Sequence, residues 1–300
     1  MSKTIVFFGS GKIAQQSLRF IKQHLSVELV ITKLTSKTNL NPVIKEAQDS
    51  NIPLSYANNK NELVKLFHYQ NNLKSDLAIL VDYGVIIPQS IIDSFKLSII
   101  NSHFSILPDL RGADPITYAL LSGQKSTGVS LMKLVAALDE GPLLDWQKIE
   151  IDPQENNETL TKKLINLSNQ LIKKNIIDRD WTTWKWQDQS ITHQKVSYSK
   201  KISKEDGKMN FNLPAEQLER QIRAFHSWPK SYFELQQQLI IIDHASVLDL
   251  NGQPGHFFVH NHQLAVYCQP KALLIDSIQP ANKKIISSKD FLNGYRHLIN

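Results

Sequence analysis

The stretch KTIVFFGSGKIAQQSLRFI, Lys3 to Ile21, reads as a strand, a glycine turn and a helix. Ile5 to Phe8 is a short apolar run with strand character, and Gly9 and Gly11 supply the turn. Ile13, Leu18, Ile21 and Leu25 then mark one apolar helix face. The same alternation continues outward. VELVIT, Val27 to Thr32, is a second strand, and NPVIKEAQDSN starts a helix with Asn41 as cap and Pro42 at its first position. DLAILVDYGVIIP supplies a third apolar strand and the turn leaving it, and LSIINSH, Leu97 to His103, a fourth. Strands alternating with helices predict an α/β unit with a Rossmann-like, mostly parallel sheet.

Gly9-x-Gly11-x-x-Ala14 has the spacing that opens a dinucleotide site. Such a site also needs an acid at the end of the second strand. Here that position reads Ile31-Thr32-Lys33-Leu34-Thr35, without a carboxylate. The turn is read as a device for helix packing, with an NADP site through Lys33 as the alternative.

TGVSLMKLVAALDEGPLLDWQKIEI predicts paired strands around a turn at Gly141 and Pro142, and NETLTKKLINLSNQLIKKNI an amphipathic helix with Leu160, Leu164, Leu167 and Leu171 inward. Between Trp181 and Lys200 periodicity is lost and the chain turns polar, which marks a linker. Trp181, Trp184 and Trp186 are expected to fold that linker onto the first domain. A helix from Pro214 to Phe225 follows. SYFEL, QLIIIDHASVL, HFFVHN, QLAVYC and ALLIDSIQP then have the texture of a small β-barrel. Two domains are expected, residues 1–190 and 200–300.

Composition narrows the class. The chain has 300 residues, 41% of them hydrophobic, enough for a full core in two domains. No apolar run approaches the roughly 18 residues of a membrane span, so a cytoplasmic protein without membrane contact is expected. A lone Cys268 excludes an internal disulfide, and no Cys/His grouping has metal-ligand spacing, so no metal is expected. The net charge of +6 leans slightly toward the second domain. That bias suits contact with a phosphate backbone.

The chemistry centres on NSHFSILPDLRGADP, Asn101 to Pro115. A strand running to His103 puts Asn101 and His103 on one face, at the strand end where open α/β sheets bind ligands. Arg111 and Gly112 follow in a stiff loop suited to anion or carbonyl recognition. LDEGPLL then brings Asp139 ahead of a glycine turn. An amide to hold an oxyanion, an imidazole to move a proton and a carboxylate to orient the imidazole form a sensible set. No Ser or Cys nucleophile is needed where the substrate brings its own amine.

INSHFSILPDLRGADPI followed by LDEGPLL resembles the folate-dependent formyltransferases, and VDYGVIIP resembles the turn those enzymes place after a sheet strand. SYSKKISKEDGKMNFNLPAEQLERQIRAFHSWPKSYFEL and QPANKKIISSKDFLNG resemble the C-terminal domain of the branch that formylates the methionyl group on initiator tRNA. The resemblance implies a catalytic formyltransferase domain followed by a smaller OB-like, tRNA-binding β-barrel. It implies 10-formyltetrahydrofolate as donor, initiator methionyl-tRNA as acceptor, and action as a monomer.

By the same resemblance Asn101, His103 and Asp139 are catalytic. Tyr83, Gly84, Val85, Ile86, Ile87, Ser105, Leu107, Pro108, Leu138 and Gly141 are expected around the folate. Arg111, Gly112, Lys33, Lys37, Lys201 and Arg223 are expected to face the acceptor. One segment departs: TKLTSKTNLNP, Thr32 to Pro42, is shorter than the loop typical of the family and lacks its Arg and Gly. A sugar-nucleotide N-formyltransferase, a formyltetrahydrofolate hydrolase and a non-catalytic binding relative are the alternatives.

Overall fold

A computed structural model describes residues 3–34, 41–69 and 72–295. The chain divides into two compact units. The first takes in the chain up to Pro115, Ser126–Glu150 and Thr161–Ser199; the second takes in Ile116–Lys125, Ile151–Leu160 and Lys200 onward.

The first unit begins β1 (Thr4–Gly9), α1 (Gly11–Ile21), β2 (Ser26–Thr32), α2 (Pro42–Gln48), β3 (Leu54–Tyr56), α3 (Lys60–Tyr69), β4 (Leu77–Val81), α4 (Gln89–Ile92) and β5 (Ser98–His103). Next come β6 (Arg111–Gly112), α5 (Pro115–Leu121, nearly all in the second unit), β7 (Ser126–Lys133), β8 (Leu143–Glu150), α6 (Asn157–Ile172) and β9 (Tyr198–Ser199). The main sheet has the order β3-β2-β1-β4-β5-β7-β8. Its first five strands are parallel, and β7 and β8 are antiparallel.

The strand order reverses at β1, so the carboxyl ends of β1, β4 and β5 stand together where such sheets hold ligands. Phe8, Ile31, Ala78 and Ile99 fill a core on one face of these strands. Gly9 is required by packing: a Cβ there would lie 2.7 Å from the Ala14 Cβ. That contact accounts for Gly9 by packing against α1. Leu18, Ile21 and Leu25 are buried as expected; Ile13 is half-buried, and Ala14 and Ser17 complete the inward face of α1. The Asn41 cap and the inward leucines of α6 form as the pattern predicts. Strand β3 was not anticipated; three residues carry no period.

The polar stretch after Trp181 is no loose tether. Trp181 and Trp184 donate their indole N–H groups to Ile176 and Asn175 carbonyls at 2.7 and 2.9 Å. Gln187 and Leu143 exchange both backbone hydrogen bonds, and β9 pairs with β6. The segment is a strap lying on the first unit.

The second unit holds α7 (Ala215–Ala224), β10 (Ser231–Leu235), β11 (Gln238–Leu248), β12 (Phe257–His260), β13 (Gln263–Tyr267), β14 (Ala272–Pro280), β15 (Ile286–Ser287) and α8 (Ser288–Tyr295). Its sheet is antiparallel, in the order β10-β11-β14-β13-β12, with β15 on β14. Leu218 and Ile222 of α7 and Phe291 of α8 share one core with Ile240, Leu264 and Ile275 from the strands. Among the described residues β10 and β12 form no ladder, and the antiparallel sheet packs with α7 and α8 around that core.

Candidate active site

Strand β5 is buried along its whole length, with Asn101 opposite Leu80 on β4 and His103 opposite Ser130 on β7. The period of two then sets the Asn101 amide and the His103 ring on one face at the strand's end. Asp139 reaches the same place from the loop between β7 and β8. Its Oδ2 lies 3.8 Å from His103 Nδ1, and Asn101 Nδ2 donates to its Oδ1 at 3.4 Å. All three residues are less than a tenth exposed.

The imidazole's second contact settles its tautomer. His103 Nε2 lies 2.9 Å from the Leu110 carbonyl oxygen. A carbonyl only accepts, so Nε2 carries the hydrogen and the neutral ring leaves Nδ1 bare on the Asp139 side. A protonatable nitrogen therefore faces a carboxylate with an amide beside both.

The Asp139 carboxylate is held by backbone. Gly112 N–H donates to Oδ2 at 2.8 Å. Gly112 has φ +109°, and a Cβ there would meet the Ser199 carbonyl oxygen at 2.3 Å, so only glycine fits between the two loops. Asp139 itself has φ +51°, a left-handed conformation that Asp tolerates better than most residues. Gly141 has no room either, since a Cβ would lie 1.7 Å from the Lys133 carbonyl oxygen.

The residues expected around folate divide into two groups. Tyr83 is core: it is 1% exposed, and its hydroxyl donates to the Ala57 carbonyl at 2.9 Å. Ile87 and Leu107 are buried as well, and Val85 packs on the core. The Ser105 hydroxyl donates to the Asp109 carbonyl, and the Pro108 carbonyl accepts from Ser197 N–H. Gly84 has φ +67° and lies beneath the Lys33 amine. Ile86 and Leu138 differ from all of these. They are large apolar side chains 73% and 60% exposed, in the turn after β4 and next to Asp139. Two uncovered apolar groups in such positions suit a flat, partly apolar ligand.

The residues expected to face the acceptor are scattered. Arg111 pairs with Glu140 at 3.0 Å and donates to Gln189 Oε1 at 2.7 Å, so its guanidinium braces the Asp139 loop. Lys201 is exposed on the second unit. Arg223, also on that unit, binds both Glu219 carboxylate oxygens and the Glu155 carbonyl, which takes up its guanidinium. Lys37 lies outside the described residues. A cavity of about 320 Å³ in the second unit, beside Ile222, His226, Asp243 and His244, contains none of the residues named as catalytic.

Two residues not singled out from sequence belong to this region. Asp82 follows β4 directly, and an acid at a sheet's carboxyl edge was a signal available in the sequence. The residue is exposed, but its carboxylate is turned toward the Gly11 turn, where a Cβ would lie 3.4 Å from Oδ2. Desolvation pushes that carboxyl up to about 7; Lys33 opposes the rise and Asp114 adds to it. Gln189, in the strap, is 5% exposed and contacts Arg111, Asp139 and Gly141. A single glutamine in a polar run carries no such signal.

Comparison with known proteins matches two successive stretches of the chain. Residues 2–176 match the family described as formyl transferase, and residues 201–296 match formyl transferase, C-terminal domain. The chain belongs to the formyl transferase family. A methionyl-tRNA formyltransferase of Thermodesulfovibrio yellowstonii is 35% identical over 98% of this chain and 96% of its own length. One from Finegoldia magna is 32% identical over 98% and 97%. Among solved structures, the N-formyltransferase from Helicobacter canadensis, in complex with folinic acid and dTDP-3-aminofucose, has a TM-score of 0.69 at 19% identity. That match covers 93% of this chain and all of the other. The sugar 3N-formyl transferase WlaRD gives 0.70 at 21%, covering 95% and 100%. At such identities the likeness is one of fold. The formyl transferase match takes in all seven strands of the main sheet, with Asn101 and His103 at the end of β5 and Asp139 in the loop between β7 and β8.

Proposed function

We propose that this formyl transferase moves a formyl group from 10-formyltetrahydrofolate to the free amino group of methionyl-initiator tRNA. The observation that carries the chemistry is the meeting of Asn101, His103 and Asp139 at the end of β5. The acceptor is supported by the relatives bearing the methionyl-tRNA formyltransferase name, which match the chain through both units.

The reaction needs an amine to attack the formyl carbon and one proton to cross from that amine to the departing folate nitrogen. As the new N–C bond forms, the carbonyl electrons move onto oxygen. The Asn101 amide hydrogen not directed at Asp139 is the donor for that oxyanion, and losing one such donor typically costs about 100- to 1000-fold in turnover. His103 Nδ1, bare in the neutral ring, takes the proton from the attacking nitrogen. Asp139 stabilises the resulting imidazolium across 3.8 Å. His103 then returns the proton to the folate nitrogen as the old C–N bond breaks, leaving ring and carboxylate as they began. Ile86 and Leu138 supply apolar walls for the folate, and Gly84 an open backbone edge. Lys33, Lys37 and Lys201 are the cations assigned to the acceptor's phosphates.

The test offers purified protein 10-formyltetrahydrofolate with methionyl initiator tRNA and, in parallel, with an aminosugar nucleotide. Formyl-methionyl-tRNA alone is the expected product. Formyl found only on the sugar would replace the acceptor, and formyl on neither would leave a binding protein.

A further inference from the structure

We propose that Gln189 is a positioning residue for Asp139, a buried amide that fixes the carboxylate loop against the histidine. The inference rests on the catalytic reading of Asp139 given above and adds a residue from the strap to it.

Gln189 Nε2 donates to the carbonyls of Asp139 and Gly141, at 2.7 and 2.9 Å. Its Oε1 accepts from Arg111 Nη2 at 2.7 Å. One amide thus joins the backbone on both sides of Glu140 to the residue before Gly112, whose N–H grips the Asp139 carboxylate. The Asp139 backbone and the Arg111 side chain, one residue before the Gly112 donor, are thereby tied to the same amide.

The loop needs such an anchor. Leu138 and Glu140 are exposed, so side-chain packing does little to hold the residues on either side of Asp139. Asp139 keeps a left-handed backbone, which persists only where surrounding contacts specify it. Water could satisfy the two carbonyls without fixing their position. An amide with its own place fixed does both.

Gln189 has such a place. It opens a short 3-10 turn, Gln189–Thr192, capped by the Asp188 side chain on Ser190 N–H. Gln187 is tied to Leu143 by two backbone bonds, and the Thr192 hydroxyl donates to the Leu107 carbonyl at 2.7 Å. The strap therefore delivers the amide from a pinned segment. A displacement of about 1 Å at a reacting group can cost about 100-fold in rate.

The experiment is a double-mutant cycle on the full chain with Gln189→Leu, Asp139→Asn and the pair. It reads kcat, the Kd for 5-formyltetrahydrofolate and Tm. Gln189→Leu is expected to lower kcat about 10- to 100-fold and to leave the folate Kd within about 3-fold. Because the glutamine acts through the carboxylate, adding Gln189→Leu to Asp139→Asn should change kcat by less than about 3-fold. Should Gln189→Leu fail to fold, Gln189→Glu replaces it. That variant keeps the Arg111 contact, loses both donors and is expected to show the same kcat loss. Near-parental kcat in the glutamine variant, with Asp139→Asn impaired, would overturn the positioning role alone. Losses that multiply in the double variant would do the same. Near-parental kcat in Asp139→Asn would remove the catalytic reading itself, and this proposal with it.

Discussion

The backbone N–H of Gly112 donates to Asp139 Oδ2 at 2.8 Å, joining two loops whose residues lie 27 positions apart. The bond depends on Gly112 having no side chain, because the Ser199 carbonyl oxygen occupies the space a Cβ would take. Gly112→Ala must also hold an L-residue at φ +109°, a strain of about 1–3 kcal/mol. The substitution is expected to part β6 from β9 and draw the donor off the carboxylate. Turnover should fall at least about 10-fold, with a lower Tm, as measured by single-turnover formyl transfer and calorimetry. Unchanged transfer would show that the carboxylate does not rely on this donor.

His103→Ala tests the proton path. The variant keeps Asn101 and the Asp139 loop, because Gly112 holds the carboxylate and Gln189 the Asp139 backbone carbonyl independently of the ring. Removing a general acid–base typically costs about 100- to 10,000-fold. Transfer is expected to fall within that range while 5-formyltetrahydrofolate binding, followed by fluorescence, stays within about 3-fold. A variant that turns over normally would assign the proton to another group.

These expectations show how much the chain discloses before folding. Asn101 and His103 were legible because a strand has a fixed period: two positions apart means one face. The packing role read for the glycine turn is met at Gly9, where a Cβ would meet Ala14. Gln189 was hidden because a buried amide in a polar run has no periodic neighbours. Ile87 and Ile86 are adjacent and chemically alike, yet one is 5% exposed and the other 73%. Which of them would face a ligand is set by how the turn after β4 is folded, and local residue type does not encode that. The strap read as a linker because its polar residues bond to backbone carbonyls, which leave no mark in a hydrophobic pattern.

Asp82 predicts a dependence of stability on pH. Its folded-state carboxyl is raised from 3.8 to about 7, so between those values the folded chain holds a proton that the unfolded chain has released. Stability from this group therefore falls as pH rises from about 4 to about 7 and is flat above. The residue is exposed, so solvent screening keeps the effect modest. Asp82→Asn is expected to match the parent in Tm near pH 4.5 and to exceed it near pH 8, as followed by differential scanning calorimetry. A lower Tm for the variant at pH 8 would mean that the ionised carboxylate is stabilising, with Lys33 outweighing desolvation.

Lys201 and Arg223, both cations of the second unit, should separate in a salt titration. Lys201 is exposed, and the acceptor reading gives it a phosphate. Lys201→Ala is then expected to weaken methionyl-tRNA binding and to lower the slope of log Kd against log salt by about one. The Arg223 side chain is only 15% exposed, with its hydrogen bonds directed to Glu219 and the Glu155 carbonyl. Arg223→Met leaves a carboxylate and a carbonyl short of donors, at a cost of about 1–3 kcal/mol of stability. Its salt slope should equal the parent's. Should Arg223→Met reduce the slope while Tm holds, the guanidinium must leave its partners to meet the tRNA, and the fixed pairing seen on α7 would not describe the bound state.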